Sequence, residues 1–141
     1  MRIINIIGHS NSGKTTIITK LVPLLAKVGT VGTIKHMGHH IWELPPGKDT
    51  TVHFEAGAAC GAGIDVEKTM LTLRGTDVYT VLDFYAWMGY DYAVVEGFKE
   101  ESFSCAVLGD LEAENVILTN PTLEELFAAR NLFDEYVPKR G

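Results

Sequence analysis

Apolar residues recur along the chain in two spacings, short continuous runs and helical repeats. Residues 3–7 (IINII) form a run rich in β-branched side chains that ends at Gly8, which is typical of a strand buried in a parallel sheet. Apolar residues then return every three or four positions as far as Val28, and this spacing predicts a helix over residues 13–28. Pro23 is expected to kink that helix, and Gly29 suits a left-handed C-cap.

Six later apolar runs predict further strands, at residues 30–34, 58–64, 69–73, 92–95, 103–108 and 116–118. A polar turn joins the second and third of these runs, which predicts an antiparallel hairpin appended to the sheet. We expect residues 103–108 to form an edge strand and residues 116–118 to form the last buried strand.

Three later helices are predicted from residues that commonly begin a helix. Their candidate starts, in chain order, are Asp49 or Thr50, Thr76 or Asp77, and either Pro121 or a capping box from Thr122 to Glu125. The first should end near Ala56 and the second near Gly89, and the last should bury Leu123, Leu126, Phe127 and Phe133. Because strands alternate with helices, the pattern predicts one α/β domain over residues 1–141 with a mainly parallel sheet.

The loop between the first strand and the first helix has the spacing GxxxxGK[ST], from Gly8 to Thr15. Backbone N–H groups of residues 11–15 are expected to surround a phosphate at the helix N-terminus, where the helix dipole favours anions. Lys14 should reach the β- and γ-phosphates, and the Thr15 hydroxyl should take one position around Mg²⁺. The predicted class is therefore a three-layer P-loop NTPase fold with the appended hairpin.

A second magnesium ligand is expected at the end of a neighbouring apolar strand. Glu96 follows the run at residues 92–95, and Gly97 after it lets the backbone pass close to a ligand. Glu96 is thus the predicted metal carboxylate, the alternative being an exposed acid at a strand end. Asp49 has two interpretations of equal weight, an N-cap or a residue that touches Mg²⁺ or the attacking water.

Several other residues at the same sheet edge leave alternatives open. One such group is His36, His39 and His40, which form either a transition-metal site or a solvated or substrate-facing histidine loop. Lys35 and Lys99 either hold a second anionic ligand or remain solvated. None of the four arginines lies in an obvious lid, which favours slow hydrolysis over phosphoryl transfer to a metabolite.

The overall charge and the cysteines bear on the ligand class and the cell compartment. The 141-residue chain has a formal net charge of −6 and no run of basic residues, so a nucleic-acid-binding surface is disfavoured. Cys60 and Cys105 lack metal-site spacing, and neither a leader nor a membrane-length apolar run is present, which favours a reduced, cytoplasmic protein.

Five motifs together resemble the MobB family, the molybdopterin-guanine dinucleotide biosynthesis protein B. They are GHSNSGKTT at residues 8–16, TIKH at 33–36, PGKDT at 46–50, EAGA at 55–58 and VEGFK at 95–99. Family members tend to carry a Lys before the next strand and an Arg near its end, and residues 102–108 of this chain have neither.

The resemblance implies a GTP-binding homodimer with weak GTPase activity that acts as an adapter beside the guanylyltransferase MobA, with molybdopterin as a possible second ligand. It implies that Glu96 binds Mg²⁺, that Asp49 and the histidine loop line the ligand face, and that phosphate and Mg²⁺ are bound by Asn11, Ser12, Gly13, Lys14, Thr15 and Thr16. With the residue-based reading, the candidate catalytic set is Lys14, Glu96 and Asp49. The alternatives are a metal-insertion GTPase of the nickel-chaperone kind, a small-molecule kinase, and a module that uses nucleotide only as a structural ligand.

Overall fold

The structure is a computed structural model that describes residues 1–75 and 77–138. The chain separates into two compact units. The first contains Met1–His36 and the chain from Val78 onward, and the second contains Met37–Asp77. Each unit has a sheet of its own.

The strands of the described residues are β1 (Arg2–Gly8), β2 (Val31–Lys35), β3 (Cys60–Ile64), β4 (Thr69–Leu73), β5 (Tyr92–Glu96), β6 (Cys105–Leu108) and β7 (Val116–Thr119). In the first unit, five strands pair in parallel in the order β2-β5-β1-β6-β7. β1 and β5 are therefore central, and their carboxyl ends, Gly8 and Glu96, lie at the same edge of the sheet.

Helices cover both faces of the five-stranded sheet, as predicted. The described residues form α1 (Lys14–Leu25), α2 (Asp49–Glu55), α3 (Val78–Trp87) and α4 (Leu123–Ala128), followed by a short 3₁₀ helix over Arg130–Leu132. Of these, α2 belongs to the second unit. On one face, Ile4 and Ile6 pack with Leu21 of α1 and Leu126 of α4. On the other face, Ile3 packs with residues of α3 such as Leu82. Successive side chains of β1 thus belong to two separate apolar cores, which makes three layers.

The positions of two strands in the sheet differ from the prediction. β6 was predicted at an edge, but it lies between β1 and β7, and all four of its residues are buried. β7 was predicted to be buried, but it forms the edge, and Val116 is 39% exposed. An apolar run of four residues is compatible with an edge strand or an interior strand, so the runs themselves do not predict the strand order.

Three predicted helix termini are also corrected. α1 ends at Leu25, and Gly29 does not adopt the left-handed conformation. Gly29 is instead sterically required, because a Cβ there would lie 2.8 Å from the Asp91 side chain. Asp49 is the first residue of α2 and not its N-cap, since Lys48 holds that position without a side-chain cap. Phe133 is buried, but it follows the 3₁₀ helix and does not belong to α4. The predicted cap Thr76 lies outside the described residues.

The predicted hairpin is present in the second unit. β3 and β4 pair antiparallel, with Ile64 opposite Thr69, and form a two-stranded sheet separate from the larger one. The turn is closed by Asp65, whose carboxylate accepts hydrogen bonds from the backbone N–H groups of Glu67 and Lys68. These bonds lower the pKa of Asp65 below its usual value, and the bond from Glu67 has the largest effect.

Among residues 1–75 and 77–138, none of the helices has both the length and the apolar character needed to cross a bilayer. Cys105 is buried in β6, and desolvation raises the pKa of its thiol. Cys60 is exposed in the second unit.

The capping box predicted for the last helix is confirmed and can be tested. Thr122 Oγ1 accepts a hydrogen bond from the Glu125 N–H at 3.1 Å, and Glu125 Oε2 accepts from the Thr122 N–H at 2.9 Å. We expect Thr122→Ala to lower the free energy of unfolding by about 1 kcal/mol, measured by denaturant titration. Thr122→Ser keeps the acceptor and should remain within about 0.5 kcal/mol of wild type. Equal losses in both variants would show that the hydroxyl is not the stabilising group.

Candidate nucleotide-binding site

The loop between β1 and α1 has the backbone conformation of an anion-binding loop. Asn11 and Gly13 both have positive φ, 62° and 93°, with Ser12 between them outside that region. Alternation of this kind turns successive N–H groups toward one concave space. Gly13 is also the N-cap of α1 and has no side chain to cap it, so the free N–H groups of the first helical turn join the loop.

Gly8 permits a close approach between this loop and the neighbouring strand. A Cβ at Gly8 would lie 2.5 Å from the backbone oxygen of Leu108 and 2.5 Å from Ser12 Oγ. Such distances are shorter than a Cβ can tolerate, so only glycine fits at the point where β1 turns into the loop. The first glycine of the motif is therefore required by contact with β6.

The Lys14 ammonium lies over the loop. Its Nζ donates to the carbonyl oxygen of Gly8 at 3.0 Å and to that of His9 at 2.7 Å. The cation is thus held by two neutral carbonyl groups of the loop itself. Lys14 forms no ion pair with another described residue, so a phosphate oxygen that approached it would meet an unneutralised positive charge.

Thr15 and Glu96 are brought together, although 81 residues separate them in sequence. The Thr15 hydroxyl donates to Glu96 Oε1 at 2.9 Å. Strand register explains the contact, because Glu96 is paired with Ile6 of β1 on one side and with Lys35 of β2 on the other. The Lys35 ammonium lies 3.5 Å from the same Glu96 Oε1.

The turn after Glu96 is also fixed by the two neighbouring strands. The Glu96 carbonyl accepts from the His36 N–H at 2.9 Å, and the Gly97 N–H donates to the Ile6 carbonyl at 3.0 Å. Gly97 and Phe98 then have positive φ, 86° and 55°. The His36 ring stacks on Phe98, with 4.6 Å between ring centroids. His36 therefore packs on the segment that carries Glu96.

A second loop flanks the phosphate-binding loop, and sequence reasoning did not assign it. His9 Nε2 lies 3.7 Å from the carboxylate of Asp110, which follows β6. The neighbouring Gly109 is held by Asn120, whose Oδ1 accepts from its N–H at 2.7 Å and whose Nδ2 donates to its carbonyl at 3.1 Å. Both polar groups of the Asn120 amide are therefore engaged with backbone. No local sequence signal predicts this contact, because an isolated Asn gives no sign of its partner.

The other candidate residues are Thr16, Asp49, His39 and His40. Thr16 is exposed, and its carbonyl accepts from Thr19 Oγ1 at 2.8 Å. Asp49, His39 and His40 belong to the second unit, where they are exposed. In the described ranges, 1–75 and 77–138, no group of three or more His, Cys, Asp and Glu side chains is arranged to hold a metal ion. The catalytic role of Asp49 stays a prediction.

The chemistry of the loop fits Mg²⁺ and phosphate. A hydroxyl and a carboxylate oxygen 2.9 Å apart are hard oxygen ligands of the kind that Mg²⁺ prefers. Ser12 Oγ is buried and has no hydrogen-bond partner in the structure, although a buried hydroxyl usually has one. A phosphate oxygen in the loop would supply an acceptor for it.

A parallel sheet with helices on both faces, and a GxxxxGKT loop leading from its central strand into a helix, define a P-loop NTPase fold. Residues 3–128 match the family model described as MobB: Molybdopterin guanine dinucleotide synthesis protein B. The chain belongs to the MobB family.

Curated relatives bear consistent names. A protein of Bacillus subtilis, 33% identical over 119 residues, is named a probable molybdopterin-guanine dinucleotide biosynthesis adapter protein, and the match covers 79% of this chain and 69% of the relative. A Haemophilus influenzae protein, 35% identical over 104 residues, is named a molybdopterin-guanine dinucleotide biosynthesis adapter protein. That match covers 70% of this chain but only 58% of the relative.

Solved structures agree with this assignment. The crystal structure of Bacillus subtilis MobB has a TM-score of 0.67 to this chain at 27% identity, and a MobB homolog from Bacillus stearothermophilus has a TM-score of 0.64 at 26% identity. Each comparison covers 84% of this chain and 77% of the solved chain. The fold and the resemblance expected from the motifs are therefore confirmed.

The partnerless Ser12 hydroxyl gives a test of the loop without any ligand. In nucleotide-free protein, Ser12→Ala should leave the free energy of unfolding unchanged or raise it by up to about 1 kcal/mol, because it removes a buried group that lacks a hydrogen bond. Denaturant titration measures this, with Ser10→Ala as the control at an exposed serine of the same loop. A loss of stability specific to Ser12→Ala would mean that its hydroxyl already has a partner.

Proposed function

We propose that this chain is a GTP-binding adapter with weak, Mg²⁺-dependent GTPase activity in molybdopterin-guanine dinucleotide biosynthesis, and that it acts as a cytoplasmic homodimer beside a MobA-type guanylyltransferase. The observation that carries the nucleotide part is the Thr15–Glu96 contact directly behind the phosphate-binding loop. Family membership and the adapter names of the relatives support the biosynthetic role. Molybdopterin enters the proposal as the compound that the partner enzyme modifies.

In the proposed complex, the loop binds the phosphates with its backbone. N–H groups of residues 11–16 donate to phosphate oxygens at the N-terminus of α1. Lys14 exchanges its two carbonyl acceptors for the β- and γ-phosphates, a substitution of neutral partners by charged ones that strengthens its hydrogen bonds. Ser12 gains the acceptor that it lacks in the free protein.

Thr15 and Glu96 hold the metal side of the site. The hydroxyl of Thr15 and the carboxylate of Glu96, directly or through water, would bind Mg²⁺, which neutralises charge on the phosphates when it is present. The strand pairs on both sides of Glu96 fix its backbone, and the Thr15 hydroxyl already contacts its carboxylate in the absence of a ligand. That preorganisation lowers the cost of assembling the metal site.

The engagement of the arginines supports a low rate of hydrolysis. Rapid P-loop hydrolysis uses an arginine that stabilises the charge of the transition state. Each described arginine donates to a backbone carbonyl: Arg2 to that of Phe133, Arg74 to those of Ala58 and Phe54, and Arg130 to that of Phe127. Arg140 lies outside the described residues. An adapter that signals its nucleotide state needs the bound form to persist, so slow turnover suits the role.

Removing the loop lysine tests nucleotide binding. We expect Lys14→Ala to weaken GTP binding about 100-fold or more, because a charge-assisted contact with phosphate is lost. Isothermal calorimetry in Mg²⁺ measures the affinity. Lys20→Ala is the control, since Lys20 is exposed on the same helix. Equal affinities of Lys14→Ala and wild type would refute the loop assignment.

Capture of a partner tests the adapter role. We expect this chain to retain the MobA-type guanylyltransferase of its own organism in a pull-down, and to retain more of it when GTP and Mg²⁺ are present. Lys14→Ala should retain the same amount with and without GTP. Absence of capture in every condition would contradict the adapter role, and transfer of labelled γ-phosphate to a metabolite would favour a small-molecule kinase.

A further inference from the structure

Lys35 contacts the one acidic residue of the candidate metal site, and nothing in the proposed function uses this lysine. It is the last residue of β2 and is paired in register with Glu96, the last residue of β5. Its Nζ lies 3.5 Å from Glu96 Oε1, the same oxygen that accepts the Thr15 hydroxyl at 2.9 Å. One oxygen of Glu96 therefore contacts both the Lys35 ammonium and the Thr15 hydroxyl, a predicted magnesium ligand.

The contact supplies the charge that the buried carboxylate needs. Glu96 is only 8% exposed, and an ionised carboxylate in that setting is costly unless a cation or several donors lie close to it. In the part of the chain that the structure describes, Lys35 is the cation within 4 Å of Glu96. Lys14, the other lysine of the site, is bound to the carbonyls of Gly8 and His9.

We propose that Lys35 is the resident counter-ion of Glu96 in the nucleotide-free protein, and that it leaves Glu96 for the terminal phosphate when Mg²⁺ and a nucleoside triphosphate bind. The inference rests on the proposed function, because it needs a phosphate in the loop. Thr15 and Lys35 contact the same oxygen of Glu96, so Mg²⁺ bound beside Thr15 would lie close to the Lys35 ammonium, and two cations that close together repel each other. Binding of Mg²⁺ beside Glu96 therefore disfavours the Lys35 contact, and the Lys35 contact disfavours Mg²⁺.

Lys35 is able to make this move. Its side chain is 55% exposed, so its ammonium is not enclosed by other groups, and its four-carbon stem is flexible. β1, β2 and β5 are parallel, so Lys35 and Glu96, the last residues of β2 and β5, lie at the sheet edge where the phosphate-binding loop begins. A bound triphosphate would add negative charge at this edge of the sheet, and the released ammonium would be attracted to the terminal phosphate. Lys35 would then distinguish a triphosphate from a diphosphate.

Two binding measurements test the exchange, and neither depends on turnover. Lys35→Met keeps much of the stem but removes the charge. Without the competing ammonium, the Mg²⁺ concentration that gives half-maximal binding of GDP should fall about threefold or more. The preference for the non-hydrolysable triphosphate GMPPNP over GDP in saturating Mg²⁺ should fall about tenfold, because the contact with the terminal phosphate is lost. Calorimetry and nucleotide fluorescence measure both quantities.

Two control variants separate this role from a general effect of charge. Lys35→Arg keeps the cation and should retain the wild-type Mg²⁺ midpoint and most of the triphosphate preference. Lys99→Met removes a lysine three positions after Glu96 that forms no ion pair with the described residues, and it should change neither quantity.

The outcomes are distinct. An unchanged Mg²⁺ midpoint in Lys35→Met overturns the counter-ion role, and an unchanged triphosphate preference overturns the move to phosphate. Equal shifts in Lys99→Met would overturn both, since any edge lysine would then suffice. If the wild-type protein bound neither nucleotide, both the proposed function and this inference would fail. If wild type bound both nucleotides and Lys35→Met gave the same binding curves as wild type, only this inference would be overturned.

Discussion

The burial of one carboxylate constrains the whole candidate site. Glu96 stands at the end of a central strand and is almost completely removed from solvent, so its charge must be balanced by groups that the fold delivers. The first helix delivers the Thr15 hydroxyl and β2 delivers the Lys35 ammonium. Both contacts follow from parallel register, which aligns the ends of three strands at one edge of the sheet. The chemistry of the site thus depends on strand pairing far along the chain.

Loop geometry depends on the same sheet. Gly8 passes so close to the end of β6 that no side chain fits between them, and the segment after β6 is tied by Asn120 to the segment after β7. The phosphate-binding loop is therefore supported from the flank by β6 and the segment that follows it. A rigid support of this kind keeps the N–H groups directed at one point before a ligand arrives, which reduces the ordering cost of binding.

The parts of this arrangement that were predictable from sequence are those with local causes. Residues close together in sequence determine three such features: the motif at residues 8–15, the apolar strand before Glu96 and the capping box at Thr122. The exchange of edge and interior between β6 and β7 has no such local cause, because strand order is decided by packing between distant segments. Gly29 shows the same limit, since its requirement comes from Asp91, a residue 62 positions away.

Long-range electrostatics would not by themselves favour an anionic ligand, because the chain has a formal net charge of −6. Salt screens such long-range repulsion beyond about 8 Å under physiological conditions, so contacts within that distance decide the matter. Within it, the loop offers backbone N–H groups, the start of a helix and the Lys14 ammonium, which pairs with no carboxylate of residues 1–75 and 77–138. Lys35 differs because Glu96 already neutralises it. In the proposed exchange, Lys14 is available to phosphate from the start, and Lys35 becomes available only when another cation replaces it on Glu96.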